Sequence, residues 1–125
     1  MEYKLIIKGR FPGLNDFISA NRTSPHVGNR MKQDNQDICI WSIRQQLRNL
    51  HILAPVFIKY YWYEQSKKRD LDNISSFGRK VIQDALVKTN VLEDDGWKQI
   101  KGFSDNFYLD KKEPRIEIII TEVGD

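Results

Sequence analysis

The chain is short of the residues that cross-link small proteins. It has one cysteine, Cys39, so no internal disulfide can form. Its two histidines, His26 and His51, are far apart. No Cys/His spacing of a zinc site occurs. No apolar run approaches the ~20 residues that cross a bilayer. Met1 to Lys8 has the pattern of a strand, not of a signal peptide. There is no internal repeat, low-complexity tract or linker. Nor is there much excess of one charge: 20 Lys and Arg against 17 Asp and Glu leave +3, at a pI near 9.0. These absences exclude a disulfide scaffold, a zinc module and a helical membrane protein. They lead us to expect a soluble cytoplasmic protein. A mildly basic balance suits an anionic partner without demanding one.

What is present is enough for one core. The 125 residues match one ordinary domain, able to bury roughly two-thirds of its unfolded surface. Strand patterns occur at Tyr3–Lys8, at Pro55–Glu64, at Trp97–Phe107 and at Arg115–Glu122. In the second, β-branched and aromatic residues follow one another with little alternation, which predicts burial on both faces. The last two flank the turn Lys111-Lys112-Glu113-Pro114 and are expected to pair as a hairpin. Met31–Leu50 carries Ile40, Ile43, Leu47 and Leu50 at helical spacing. In Asn73–Lys88, Ile74, Phe77, Val81 and Ala85 share one face. Gly78 lies inside that helix, either for close packing on the sheet or at the helix's true start. Arg10–Arg30 is punctuated by Pro12, Gly13, Asn15, Asn21, Pro25, Gly28 and Asn29, which predicts a long loop. Together these give a single domain over residues 1–125 of α/β (α+β) class, with a mixed sheet of about four strands and two main helices.

The stretch Lys67-Lys68-Arg69-Asp70-Leu71-Asp72-Asn73 sets three cations before two carboxylates. A second acidic cluster follows at Leu92-Glu93-Asp94-Asp95-Gly96. Crowded carboxylates repel one another, and a divalent cation removes that conflict. Magnesium takes oxygen ligands and keeps several waters. Held by carboxylates, it can polarise a phosphodiester and lower the cost of making hydroxide. Asp70 and Asp72 point the same way only on an extended segment, where they could share one metal. Lys80 would stabilise charge on the departing oxygen. Lys67, Lys68 and Arg69 would clamp the backbone, with Arg10, Arg22 and Arg30 of the long loop folding over it. By spacing alone, such acidic turns are more often surface decoration or helix caps than a metal site, and Asp72 could simply cap the helix after it.

Three segments resemble the RusA family of Holliday junction resolvases: Arg69-Asp70-Leu71-Asp72-Asn73, Lys80-Val81-Ile82-Gln83-Asp84-Ala85-Leu86 and Val91-Leu92-Glu93-Asp94-Asp95. The family pattern is R-D-x-D-N, a lysine four residues before D-A-L, and a D-D pair about ten residues on. Pro12-x-x-Asn15 and the final Ile120-Thr121-Glu122 are similar to family features too. The resemblance implies a small homodimeric α/β endonuclease that needs magnesium, with manganese as a substitute. It would bind four-way DNA junctions and nick two opposing strands, in recombination and repair. The essential residues carried onto this chain are Asp70, Asp72, Asp95 and Lys80, the three aspartates holding metal. One feature departs from the pattern: Lys80 follows Asp72 by eight residues, where the family has four. Its spacing to Asp84-Ala85-Leu86 is kept, so the addition is expected at the helix start, with Arg79 as the substitute cation. The alternatives are a nuclease for other branched DNA, or a DNA-binding protein without catalysis on the same fold.

Overall fold

The computed structural model describes residues 1–124. The elements run β1 (Glu2–Lys8), α1 (Leu14–Thr23), α2 (Pro25–Gln46), β2 (Val56–Glu64), α3 (Leu71–Lys88), β3 (Ile100–Leu109) and β4 (Arg115–Glu122). They form one α+β domain with a four-stranded mixed sheet in the order β1-β4-β2-β3. β4 runs antiparallel to both β1 and β2, and β2 runs parallel to β3.

The expected hairpin of the last two strands does not form. β4 lies between β1 and β2, and β3 takes the far edge. The physical reason is apolar content. Ile116, Ile118 and Ile120 are fully buried, which suits a strand with a neighbour on each side. β3 exposes Phe103, Tyr108 and Leu109, which suits an edge. β2, α3 and β3 then form a parallel crossover unit, as two parallel neighbours require.

Alternate residues of each strand meet on one face. Leu5 pairs with Ile118, and Ile118 with Tyr60; all three are buried. The helices cover this face, completing one core with Ile43, Phe77, Val81, Ile82 and Leu86. Cys39 lies inside it, and burial pushes its thiol up to about 12, so it stays protonated. β2 is not buried on both faces as expected. Val56, Ile58, Tyr60 and Trp62 are buried, while Phe57, Tyr61 and Tyr63 are half-buried and Lys59 is exposed. Those aromatics lie on the face that carries no helix.

The predicted loop over Arg10–Arg30 is mostly helix. The turn-forming residues act as helix ends. Ser24 caps α2, its hydroxyl accepting from the Val27 amide at 3.1 Å, and Pro25 takes the first turn, where its missing N–H costs nothing. At α1, the Gly13 amide donates to Asp16 Oδ2 at 2.9 Å. α2 therefore starts six residues before the expected Met31. Gly78 serves close packing: a Cβ there would lie 2.9 Å from Trp62 Cζ3 and 3.0 Å from Phe11 Cδ2.

Candidate functional site

Trp62 of β2 faces the core, and by the same two-residue period so does Glu64 at the strand's end. Glu64 is only 5% exposed, and a buried carboxylate needs a cation. Arg69 supplies it, donating from Nε at 3.1 Å and from Nη2 at 2.8 Å to Glu64 Oε1. Its Nη1 donates to the Phe11 carbonyl at 3.1 Å. Arg10 Nη1 approaches the same carboxylate at 3.5 Å. Arg69 and Arg10 thus pin the segment after β2 to the segment after β1. Glu64 was not among the sequence candidates, although strand periodicity marks it as core-facing.

The pinned segment leads directly into α3. Asp70 is the N-cap residue, with extended backbone. Its carbonyl accepts from the Ile74 amide at 3.0 Å, while its side chain makes no capping hydrogen bond. Asp72 lies in the first turn and its Oδ1 accepts from the Ser76 hydroxyl at 2.8 Å. Asn73 Oδ1 accepts from the Asn15 amide at 2.8 Å, which ties the start of α1 to the start of α3. Gly13 permits that approach, since a Cβ there would fall 2.5 Å from Asn73 Oδ1. Helix begins at Leu71, so Asp70 and Asp72 do not share the extended segment that the sequence led us to expect.

Lys80 stands two turns further along α3. Its ammonium lies 3.1 Å from Asp84 Oδ1 and 3.2 Å from Asp95 Oδ2. The hydrogen bond to Asp84, and then that to Asp95, raise its pKa above the ordinary lysine value, so it is a fixed cation at neutral pH. Asp95 reaches it because the chain folds back after α3. Asn90 takes a left-handed conformation, φ 61°. The Val91 and Leu92 amides donate to the Leu86 carbonyl, at 3.0 Å and 3.2 Å, and both side chains are buried. Asp84, four residues after Lys80 on the same helix, completes the cluster. Its Oδ2 faces Lys32 at 3.4 Å and accepts from Gln36 Nε2 at 3.3 Å.

Asp72, Ser76, Lys80 and Asp84 recur every four residues on one flank of α3. The four residues added between Asp72 and Lys80 amount to about one helical turn, so the flank is kept while the separation grows by ~6 Å to ~12 Å. Residues 74 to 77, between Asp72 and Lys80, fall in the first turns of the continuous helix, which starts at Leu71. Arg79 is committed elsewhere: it pairs with Asp105 of β3 and lies 4.6 Å from the centre of the Phe103 ring.

Lys67, Lys68, Arg22 and Arg30 are exposed, and among the described residues none of the four forms an ion pair. The same holds for Asp70 and Asp72. The expected cage of Asp70, Asp72 and Asp95 does not appear as one assembled group: among the described residues no three Asp, Glu, His or Cys side chains stand together around a metal-sized gap. The structure brings Asp95 to Lys80 and Asp84, and leaves Asp70 and Asp72 at the helix start with uncompensated charge. In donor type this set suits a hard cation such as magnesium, being all carboxylate oxygen.

Among the described residues no helix is long and apolar enough to cross a membrane. Compared with known proteins, the chain matches no family model and no curated protein.

Proposed function

We propose that this protein is a magnesium-dependent endodeoxyribonuclease of RusA type, acting in recombination and repair as a homodimer that nicks four-way DNA junctions. A cytoplasmic location and manganese as a substitute metal go with this function. The observation that carries it is the meeting of Lys80 with Asp95 on the flank of α3 that also bears Asp72. A basic group and acids distant in sequence converge there.

Asp70 and Asp72 would hold the metal, joined by Asp95 on its release from Lys80, and the metal would supply a polarised phosphate and an activated water. Two uncompensated carboxylates facing a polyanion would weaken binding unless a cation lay between them. Lys80, held protonated, stabilises negative charge on the leaving oxygen once one of its two aspartates turns away. Arg69, locked to Glu64, keeps Asp70 at a constant height above the sheet.

One observation favours the non-catalytic alternative: Lys80 is already neutralised by Asp84 and Asp95, as in a structural ion-pair cluster. A nuclease for flaps or other branches is the third reading, because branched substrates are told apart by shape and backbone charge. Cleavage of four-way junction, flap and linear duplex, each with and without magnesium, separates all three. Junction nicking that needs magnesium is the expected result. Tight binding without any cleavage would establish the binding protein instead.

A further inference from the structure

A cleft of about 320 Å³ opens beside Asp70, between the carboxyl ends of the parallel strands β2 and β3 and the first turns of α3. In volume it falls at the small end of ligand-binding clefts, ~300–1,000 Å³. Leu71, Ile74, Phe107, Tyr108 and Leu109 line it, together with Ser66, Lys67 and the mutually paired Glu64 and Arg69. Leu71 is 58% exposed and Leu109 is 47% exposed, so much apolar surface is left to water at one spot. Lys67 and its neighbour Lys68 have no acidic partner among the described residues, and the Ser66 hydroxyl keeps its proton free to donate, its oxygen accepting from the Lys68 amide at 3.4 Å.

A largely apolar slot with the free cation Lys67 in its wall, and Lys68 next to it in sequence, matches a flat ring joined to a phosphate. An apolar peptide segment would fill the slot but leave the lysines unmatched. A nucleotide satisfies both, and continuity with the carboxylate motif favours it further. Bases within duplex DNA are stacked and cannot enter, whereas a base at a branch point costs less to swing out.

We propose that this cleft takes one unstacked nucleobase from the DNA strand whose phosphates lie on Lys67 and Lys68. The proposal rests on the DNA-cleaving function above and deepens it, because an unstacked base would give the protein its preference for branches over linear duplex.

The test uses a four-way junction with 2-aminopurine at the branch point, titrated with the protein in EDTA so that nothing is cut. Native protein should raise the 2-aminopurine fluorescence. Leu109→Trp, which fills the cleft, and Leu109→Ser, which removes a wall, should both abolish that rise. Each should weaken junction binding about tenfold, as expected for one lost base contact, while binding to linear duplex stays unchanged. Because Leu109 is half-exposed at the end of an edge strand, both variants should fold, which circular dichroism checks. Tight junction binding with no fluorescence change in native protein would overturn the base cleft and leave the nuclease intact. Absence of any junction binding or cleavage would overturn the nuclease and the cleft together. Variants that alter only self-association in light scattering would give the cleft to a second copy of the chain and also overturn the proposal.

Discussion

At the scale of single residues, charge compensation separates the acidic groups into two kinds. Glu64, Asp84, Asp95 and Asp105 each have a basic partner. Asp70 and Asp72 have none among the described residues, yet they stand within three residues of each other. Asp72 forms only the hydrogen bond from Ser76. A residue kept for metal binding tolerates loss of charge differently from a residue kept for folding. Asp72→Asn retains an acceptor for the Ser76 hydroxyl, so its stability should change by less than ~0.5 kcal/mol, as for exposed positions. Its magnesium-dependent junction cleavage should vanish while junction binding in EDTA persists. Cleavage at the native rate by this variant would remove Asp72 from the catalytic set.

At the scale of elements, the fold depends on close approaches that a residue pattern only partly reveals. Gly78 shows the balance of terms. Alanine there would favour the helix by up to ~1 kcal/mol. Its methyl, however, would press on Trp62 and Phe11 ring atoms at 2.9 to 3.0 Å, and both rings are buried. Overpacking costs ~1–3 kcal/mol, so Gly78→Ala should lower stability by about 1–2 kcal/mol in urea unfolding. A neutral result would mean that α3 slides away from β2 at no cost. The apolar stripe around Gly78 was legible in the sequence, as were β1, β2 and β4, because local periodicity specifies them. The helices of residues 14 to 30 were not. Their Pro, Gly, Ser and Asn residues serve as caps and as contact points, and Gly28 is buried against Asn21. In a local pattern a cap and a turn look alike. The order of the strands was hidden for another reason: β4 enters the sheet between strands distant in sequence. The site divides in the same way. Lys80 and Asp95 were marked by type and spacing, and the i, i+4 pair of Lys80 with Asp84 is open to the same reading, whereas Glu64 matters through Arg69 and Arg10, partners that only the fold supplies.

At the scale of the molecule, the sheet has one face under helices and one without. The second face carries Tyr61, Tyr63 and Tyr108 stacked together, with the Arg115 guanidinium 3.8 Å from the centre of the Tyr63 ring. Paired nicking of a junction requires two sites related by a twofold axis. The native protein should therefore be a dimer in light scattering at assay concentration; a monomer there that still cuts opposite strands together would refute that requirement. The edge of the sheet at β1 is closed against further strands, because Gln46 both accepts from the Ile6 amide and donates to its carbonyl, each at 2.7 Å.

The open face also sets how the fold responds to acid. Arg115 Nε donates to Glu117 Oε2 at 2.7 Å, and its Nη1 donates to Asp110 Oδ2 at 2.8 Å. The hydrogen bond from Arg115, followed by that from Lys4, holds the Glu117 carboxyl below its ordinary range. The Glu113 amide, followed by Arg115, does the same for Asp110. A carboxyl depressed in the folded state stabilises the fold above its unfolded pKa. That contribution is lost as pH falls through the folded value. The melting temperature should accordingly drop as pH is lowered from about 5 to about 3, over and above any general acid effect. Glu117→Gln cannot titrate at this position. It should melt lower than the native protein at neutral pH, where it lacks the charged pair with Arg115. Its decline on the acid side should be shallower, so the two curves converge toward low pH. Parallel curves would show that Glu117 exchanges its partners for water without cost, and that the open face contributes nothing to acid sensitivity.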